Sequence, residues 1–154
     1  MTEPLRYTVA TALLAGAYPG SAEAVHRLER EGVTLLVDLT HPSDPLEPYA
    51  RHLGNAQRIS HPIGDMSTPT LGRTIAILDD IDAALDRGDT VYVHCWGGVG
   101  RTGTVIGCWL VRHGLDEGDA VARIATLRRD LPWTRPSPET AEQAALVRSW
   151  RPRR

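Results

Sequence analysis

The chain has 154 residues, of which 42% are apolar and 23% are charged, and its formal net charge is −2. This length suits one domain with its own core, so we expect residues 1–154 to form a single domain. The ordinary composition excludes collagen-like, coiled-coil and disordered chains. The nearly balanced charge leaves no overall positive field that would hold a nucleic acid or an anionic membrane.

The absence of some residue types and the rarity of cysteine exclude several kinds of site. Lysine and phenylalanine are absent, and the 17 basic residues are all arginine, a bias that is typical of GC-rich genomes and favours a bacterial source. Without lysine, the chain cannot form a Schiff base on a side-chain amine or a lysine-dependent nucleotide loop. Two cysteines, Cys95 and Cys108, are too few for a secreted disulfide framework, so we expect reduced thiols.

The beginning of the chain bears on its location. Residues 8–17 are fairly apolar and end in small residues, which resembles a signal-peptide core followed by a cleavage site. Residues 1–6 carry one acid and one base instead of a net positive charge, and Thr11 interrupts the core. We therefore favour a cytoplasmic protein. No apolar run approaches the roughly 18 residues of a membrane span, so we predict no membrane association.

In chain order, the first half predicts short strands, a helix and two long polar loops. The elements are the strands Tyr7–Val9 and Leu13–Ala15, the helix Ser21–Gly32, and the strands Val33–Val37 and Arg58–Pro62. Gly32 is typical of a helix end, because glycine readily adopts a positive φ. Residues 41–48 contain three prolines, which favours a surface loop. Residues 63–68 are expected to form a polar loop before the next helix.

The second half continues the alternation of strands and helices. Its elements are the helix Leu71–Gly88, the strand Thr90–His94, the helix Arg101–His113, a helix capped by Asp116, and a last helix from Ser137 to Trp150. Apolar residues surround most of the helix at 101–113, which predicts that this helix is buried. The pattern indicates an α/β fold with a central, mostly parallel sheet of roughly four to five strands flanked by helices.

One segment places a cysteine and an arginine where a strand meets a helix. It is HCWGGVGRT, residues 94–102. Glycines allow such a loop to curve so that its N–H groups point inward, and the helix N-terminus adds partial positive charge. We therefore predict a phosphate-binding loop formed by Trp96, Gly97, Gly98, Val99, Gly100 and Arg101. Arg101 would donate two N–H groups to the phosphate oxygens.

The same loop favours nucleophilic chemistry. Cys95 lies in a positive field that stabilises a thiolate, so we expect it to act as a nucleophile at neutral pH. Thr102 can donate its hydroxyl to the sulfur. An alkoxide or phenoxide leaving group needs a proton, and Asp65 is the expected acid because it follows a strand that should end at the same sheet edge. An ordinary loop or capping role is the alternative for Asp65.

The pattern Cys95-x5-Arg101-Thr102, with His94 before it and Asp65 on an Ile-Gly-Asp loop, resembles the cysteine-dependent protein tyrosine phosphatase superfamily, most closely its small dual-specificity members of bacterial type. The resemblance spans nearly the whole chain. It implies a phosphatase-like fold and phosphomonoester hydrolysis with no metal or other cofactor. It also implies that Cys95 forms a phosphocysteine, that Arg101 binds the phosphate, and that Asp65 acts as acid and then as base for water.

The chain departs from the family in one motif. Members that position water with glutamines have Gln-Thr-x-x-Gln, whereas this chain has Glu139 and Gln143 at the two positions. Gln143 is therefore expected only to support the site, as is His94, which we interpret as an orienting core histidine. The resemblance implies a substrate that is a phosphorylated protein or a small phosphomonoester such as an inositol phosphate or nucleotide, and the absence of lysine favours protein. We expect a monomer.

Two other functions fit part of the sequence. Residues 98–103 match the G-x-G-x-x-G pattern of dinucleotide binding, but residues 116–128 have helical spacing where that motif requires a strand. A non-catalytic phosphate-binding module would be expected to have lost Cys95, Arg101 or Asp65. Cys108 is expected to be a core thiol, with a redox role as the alternative.

Overall fold

A computed structural model describes residues 5–151, so Glu3, the acid of the leader, lies outside the described residues, whereas its base, Arg6, lies within them. The strands are β1 (Arg6–Ala10), β2 (Leu13–Gly16), β3 (Leu35–Asp38), β4 (Gln57–Ser60) and β5 (Val91–His94). They form one sheet of order β1-β2-β5-β3-β4, in which only β1 is antiparallel to its neighbour. The predicted α/β fold with a mostly parallel central sheet is confirmed. The apolar segment at residues 8–17 forms the β1–β2 hairpin.

The sheet is flanked by helices, as predicted. They are α1 (Ala22–Arg30), α2 (Leu71–Asp86), α3 (Gly100–Arg112), α4 (Glu117–Leu127) and α5 (Ala141–Ser149). Every residue of α3 from 100 to 111 is buried, and this helix contacts α2, α4, α5 and the sheet. Its predicted central position is confirmed. Within residues 5–151, no helix combines the length and apolarity that crossing a bilayer requires.

Several predicted element boundaries differ from the observed ones; strand β3, for example, begins at Leu35 and not at Val33. The last helix begins at Ala141 and not at Ser137, because Thr140 caps it and forms a reciprocal capping box with Gln143. The hydroxyl of Ser137 instead donates a hydrogen bond to the carbonyl of Val99 over 2.6 Å. Strand β4 ends at Ser60, and the proline at position 62 has no N–H with which to continue the ladder.

The parallel strands bring four loops to one edge of the sheet. The last residues of β2, β5, β3 and β4 lie side by side in register, and they are Gly16, His94, Asp38 and Ser60. Strand β5 lies between β2 and β3. The loop after β5 is therefore surrounded by the loops that follow its neighbours, which is where α/β sheets bind ligands.

Candidate active site

The loop between β5 and α3 curves around the sulfur of Cys95. Gly98 has a φ of 77°, in the left-handed region, and a Cβ at this position would lie 2.4 Å from the carbonyl carbon of Gly16. Only glycine satisfies both constraints. The N–H of Gly98 donates to Cys95 Sγ over 3.3 Å. The curve therefore places a backbone donor on the sulfur and presses the loop against the end of β2.

The N-terminus of α3 opens into this loop without a side-chain cap. The other four α-helices of the described chain each begin with a capping side chain, supplied by Ser21, Thr70, Asp116 and Thr140. The first N–H groups of a helix have no partner within the helix, and the helix dipole makes this end attractive to anions. The loop end of α3 therefore has the properties of an anion-binding site.

Arg101 is almost completely buried, and carboxylates hold its guanidinium from two sides. Its Nη1 donates to Asp44 Oδ2 over 2.7 Å and to the carbonyl of Ile63 over 2.9 Å. Its Nη2 lies 3.2 Å from Asp65 Oδ1. Its Nε is buried and has no hydrogen-bond partner among the described residues. A buried donor without a partner is costly, so Nε can be satisfied by an oxygen of a bound ligand.

Asp44 is a site residue that the sequence analysis missed. The prolines around it predict a surface loop, but only 4% of its side chain is exposed. The backbone N–H of His41 also donates to Asp44 Oδ2, over 3.1 Å. Asp44 follows β3, so it is an acid beyond the end of a parallel strand, as Asp65 is beyond β4.

Asp65 and Cys95 line the same pocket, as the sequence predicts. The pocket has a volume of about 270 Å³ and is also lined by Arg101 and by residues 96, 97, 99 and 100 of the loop. The Asp65 side chain is 53% exposed and lies on the loop after β4. An acid at this position can reach both the loop between β5 and α3 and a group that projects out of the pocket.

His94 connects the loop to the interior of the protein. Its Nδ1 lies 3.2 Å from the carbonyl of Cys95, and its Nε2 lies 2.6 Å from the hydroxyl of Tyr49. Burial lowers the pKa of His94, against opposing effects of Asp38 and the Cys95 carbonyl, and raises the pKa of Tyr49. A carbonyl only accepts, so we place the proton of the neutral imidazole on Nδ1, and Tyr49 then donates to Nε2.

Asp38 anchors the adjacent strand end. Its Oδ1 accepts from the N–H and the hydroxyl of Thr40 over 2.9 and 2.5 Å, and its Oδ2 accepts from Arg58 Nε over 2.9 Å. Burial alone would raise the pKa of Asp38, but His94, the Thr40 hydrogen bonds and Arg58 together lower it. The charged carboxylate therefore fixes the start of the loop that carries Asp44.

Thr102 does not make the predicted hydrogen bond to Cys95. Its hydroxyl is buried and has no hydrogen-bond partner among the described residues. Thr102 nevertheless lies one residue after Arg101, within the first turn of α3. Among the described residues, its hydroxyl is therefore an unused donor next to the loop between β5 and α3.

Gln143 has a role that its sequence position alone did not indicate. Its Oε1 accepts the N–H groups of Glu139 and Thr140, each over 3.0 Å. Its Nε2 donates to the carbonyl of Ser67 over 3.0 Å. Gln143 is fully buried and thereby ties the start of α5 to the loop that carries Asp65.

An ion pair lies at the rim of the pocket. Arg135 Nη1 donates to Glu139 Oε2 over 2.7 Å, and both residues line the pocket. The carbonyl of Arg135 accepts from Arg128 Nη2 over 2.7 Å, which anchors this segment to the end of α4. Glu139 replaces the first glutamine of the family pattern. Its carboxylate is thus already paired with the guanidinium of Arg135.

Cys108 has no catalytic surroundings. Its side chain is completely buried in the apolar core, and burial raises the pKa of its thiol to about 12. Both cysteines are free. Cys108 is therefore a protonated core thiol, as expected.

Within residues 5–151, no group of three or more His, Cys, Asp or Glu side chains is arranged to hold a metal ion.

A family model described as "PTP-SAK: Swiss Army Knife protein, DSP-PTPase phosphatase domain" matches residues 2–154. The chain is similar to a putative tyrosine phosphatase, 067L, of invertebrate iridescent virus 3, with 36% identity over 111 residues, 68% of this chain and 44% of the viral protein. It is also similar to the phosphatidylglycerophosphate phosphatase PTPMT2 of Arabidopsis thaliana, with 33% identity over 105 residues, 66% of this chain and 45% of that protein. The chain thus spans less than half the length of these relatives.

The fold is similar to that of solved phosphatases. The crystal structure of Tk-PTP in its active form superposes with a TM-score of 0.78 and 24% identity, covering 94% of each chain. At this level of identity the likeness establishes the fold and leaves the substrate open.

Loss of the Asp44 carboxylate should destabilise the protein. We expect Asp44→Asn to lower the free energy of unfolding by about 3 kcal/mol, because it removes the buried charged partner of the Arg101 guanidinium and leaves only the exposed carboxylate of Asp65. Asp65→Asn is the matched control, since its exposed contact with Arg101 should contribute less than about 1 kcal/mol. Urea denaturation of both variants measures the difference. Equal effects of the two substitutions would contradict the role of Asp44.

Proposed function

Because the chain belongs to the PTP-SAK family of DSP-PTPase phosphatase domains, we propose that it hydrolyses phosphomonoesters through a phosphocysteine intermediate on Cys95. The observation that carries this proposal is that buried Arg101, whose Nε has no hydrogen-bond partner among the described residues, lines one pocket together with Cys95 and the uncapped start of α3. A phosphate oxygen would satisfy this donor, and others would bind the free N–H groups of the loop.

In the first step, the thiolate of Cys95 attacks phosphorus, and the bond between phosphorus and the leaving oxygen breaks. Asp65 donates its proton to that oxygen, which departs as an alcohol or phenol. Arg101 and the loop N–H groups bind the remaining oxygens and stabilise their charge. Asp65 Oδ1 lies 3.2 Å from Arg101 Nη2, and a phosphate oxygen would have to replace this contact before the carboxyl group donates its proton.

In the second step, water attacks the phosphocysteine, the bond from sulfur to phosphorus breaks, and inorganic phosphate is released. Asp65, now a carboxylate, accepts the proton of the water. The N–H of Gly98, 3.3 Å from Sγ, stabilises the departing thiolate. Thr102 would add a second hydrogen bond, and its unused buried hydroxyl supports this role.

We assign positioning roles to His94 and Gln143. His94 holds the carbonyl of Cys95 and is itself held by Tyr49. Gln143 holds the carbonyl of Ser67, two residues after Asp65. Its amide oxygen already accepts two backbone N–H groups, so the family's water-orienting role would require those contacts to break.

The proposed substrate is a phosphorylated protein. The absence of lysine from the whole chain supports this choice, because it deprives the loop of the ammonium groups that would bind additional phosphates. A lipid or other non-protein phosphomonoester is the second candidate, favoured by the similarity to a phosphatidylglycerophosphate phosphatase. The two candidates differ in the leaving group, which is an amino-acid side chain in one and a lipid or sugar hydroxyl in the other.

We further propose that residues 1–154 act as one phosphatase domain, as a monomer in a bacterial cytoplasm and without a metal ion. The two free cysteines support a reducing compartment. All of the basic residues are arginine, a bias that is typical of GC-rich genomes and supports a bacterial source.

Replacement of the nucleophile tests the mechanism. Cys95→Ser should lower kcat for an aryl phosphate by at least about 10³-fold, because a hydroxyl is a far weaker nucleophile than a thiolate. Binding of inorganic phosphate, measured by calorimetry, should persist, since Arg101 and the loop remain. Cys108→Ala is the matched control and should retain activity. Hydrolysis by Cys95→Ser at the wild-type rate would exclude the phosphocysteine route.

Replacement of the acid tests the proton transfer. Asp65→Asn should lower kcat for a poor leaving group such as an alkoxide by about 100-fold, and less for 4-nitrophenolate, which departs without a proton. The measurement is a series of phosphomonoesters with graded leaving-group pKa. Asp79→Asn, an exposed acid of α2 that pairs with Arg112, is the control. The same loss across the whole series would remove Asp65 from the acid role.

A further inference from the structure

Exposed apolar side chains cluster at the catalytic pocket. Among the described residues, the large hydrophobic side chains that are exposed are Met66 at 51%, Leu71 at 65% and Trp96 at 44%. Single exposed apolar residues are common on protein surfaces and need no explanation. Met66 and Trp96, however, both line the pocket of Cys95, whereas Leu71 does not.

The backbone of Met66 adopts a conformation that favours glycine. The N–H of Ser67 donates to the carbonyl of Gly64 over 3.0 Å, which closes a four-residue turn around Asp65 and Met66. Met66, the third residue of the turn, has a φ of 65° and is the only non-glycine residue with positive φ in residues 5–151. Glycine or asparagine is preferred there, because a Cβ strains the left-handed conformation. The turn therefore retains a methionine side chain at an energetic cost.

The Met66 side chain lies at the pocket, which suggests that a function there compensates for the strained backbone. Met66 is adjacent to the proposed acid Asp65, and Trp96 is adjacent to the proposed nucleophile Cys95. The backbone of Trp96 is fixed, because its carbonyl accepts from the N–H of Tyr18 over 3.0 Å. The pocket between these two loops has a volume of about 270 Å³. A thioether and an indole are thus presented where the leaving group of a bound phosphomonoester would project.

We propose that Met66 and Trp96 form a clamp for the leaving group, which selects aromatic over aliphatic phosphomonoesters. This inference rests on the proposed function and names its substrate class. A flat ring gains stacking against the indole and a sulfur–aromatic contact with the thioether. A glycerol or inositol leaving group would instead place hydroxyls against these apolar groups, where they lose water without gaining partners.

The charge of the rim agrees with an uncharged aromatic leaving group. Among the described lining residues, Arg135 is the cation other than Arg101, and its Nη1 is engaged by Glu139 over 2.7 Å. A substrate with additional phosphates would have to compete with that carboxylate. A neutral aryl group does not need Arg135 and can bind while the pair of Arg135 and Glu139 stays intact.

The test compares two non-hydrolysable ligands of similar size, benzylphosphonate and cyclohexylmethylphosphonate, which differ in the aromatic ring. Their inhibition constants are measured on the intact chain with 4-nitrophenyl phosphate as substrate, and inorganic phosphate is the reference ligand. We expect wild type to bind benzylphosphonate more tightly. Met66→Gly and Trp96→Ala should each reduce this preference by about fivefold to tenfold. Leu71→Ala, which removes an exposed side chain outside the pocket, should retain it.

Two further variants separate the clamp from a structural effect. Met66→Gly should melt at or above the wild-type temperature, because glycine relieves the strain, and Met66→Asn should keep the turn while losing the preference. A lower melting temperature of Met66→Gly, or an unchanged preference in Met66→Gly and Trp96→Ala, would overturn the clamp. Equal binding of both phosphonates to wild type would also overturn it. Wild type that neither binds phosphate nor hydrolyses aryl phosphates would instead contradict the proposed function itself.

Discussion

The guanidinium of Arg101 is a positive charge removed almost completely from water, which is tolerated only if partners surround it. The sheet supplies these partners because the loops after its parallel strands leave from one edge. Asp44 comes from the loop after β3, the carbonyl of Ile63 and Asp65 come from the loop after β4, and the arginine itself follows β5. The position of Arg101 thus depends on the order of the strands, and among the described residues its Nε has no hydrogen-bond partner.

The second constraint is the close approach of the loop backbone to β2. Gly98 lies so near Gly16 that any side chain would collide with the chain, and its positive φ turns its N–H toward the sulfur of Cys95. One residue thereby sets both the packing of the loop and the surroundings of Cys95. The uncapped start of α3 follows at Gly100, so the backbone donors and the buried guanidinium converge on one volume.

Features that depend on neighbours in the chain could be predicted from the sequence. The helix at 101–113 and the glycine loop before it follow from hydrophobic periodicity and spacing, and the helix is observed at Gly100–Arg112. The contacts of Asp44 with Arg101 and of Gln143 with Ser67 join residues 57 and 76 positions apart, so hydrophobic periodicity and motif spacing do not indicate them. For Asp44 the one available signal is its place after a parallel strand, β3. The start of α5 was predictable from the capping pattern at Thr140 and Gln143, but the Ser137-Pro138 pair gave a competing signal.

The central claim is that a phosphoryl group passes through the sulfur of Cys95 while Arg101 holds its oxygens. Trapping this species tests it most directly: the enzyme is mixed rapidly with an aryl phosphate, quenched in acid within one turnover, and digested for mass spectrometry. We expect one phosphoryl group on the peptide that contains Cys95, in an amount that matches the burst of released phenol. Turnover without a phosphorylated cysteine, or with the phosphoryl group on another residue, would contradict the claim.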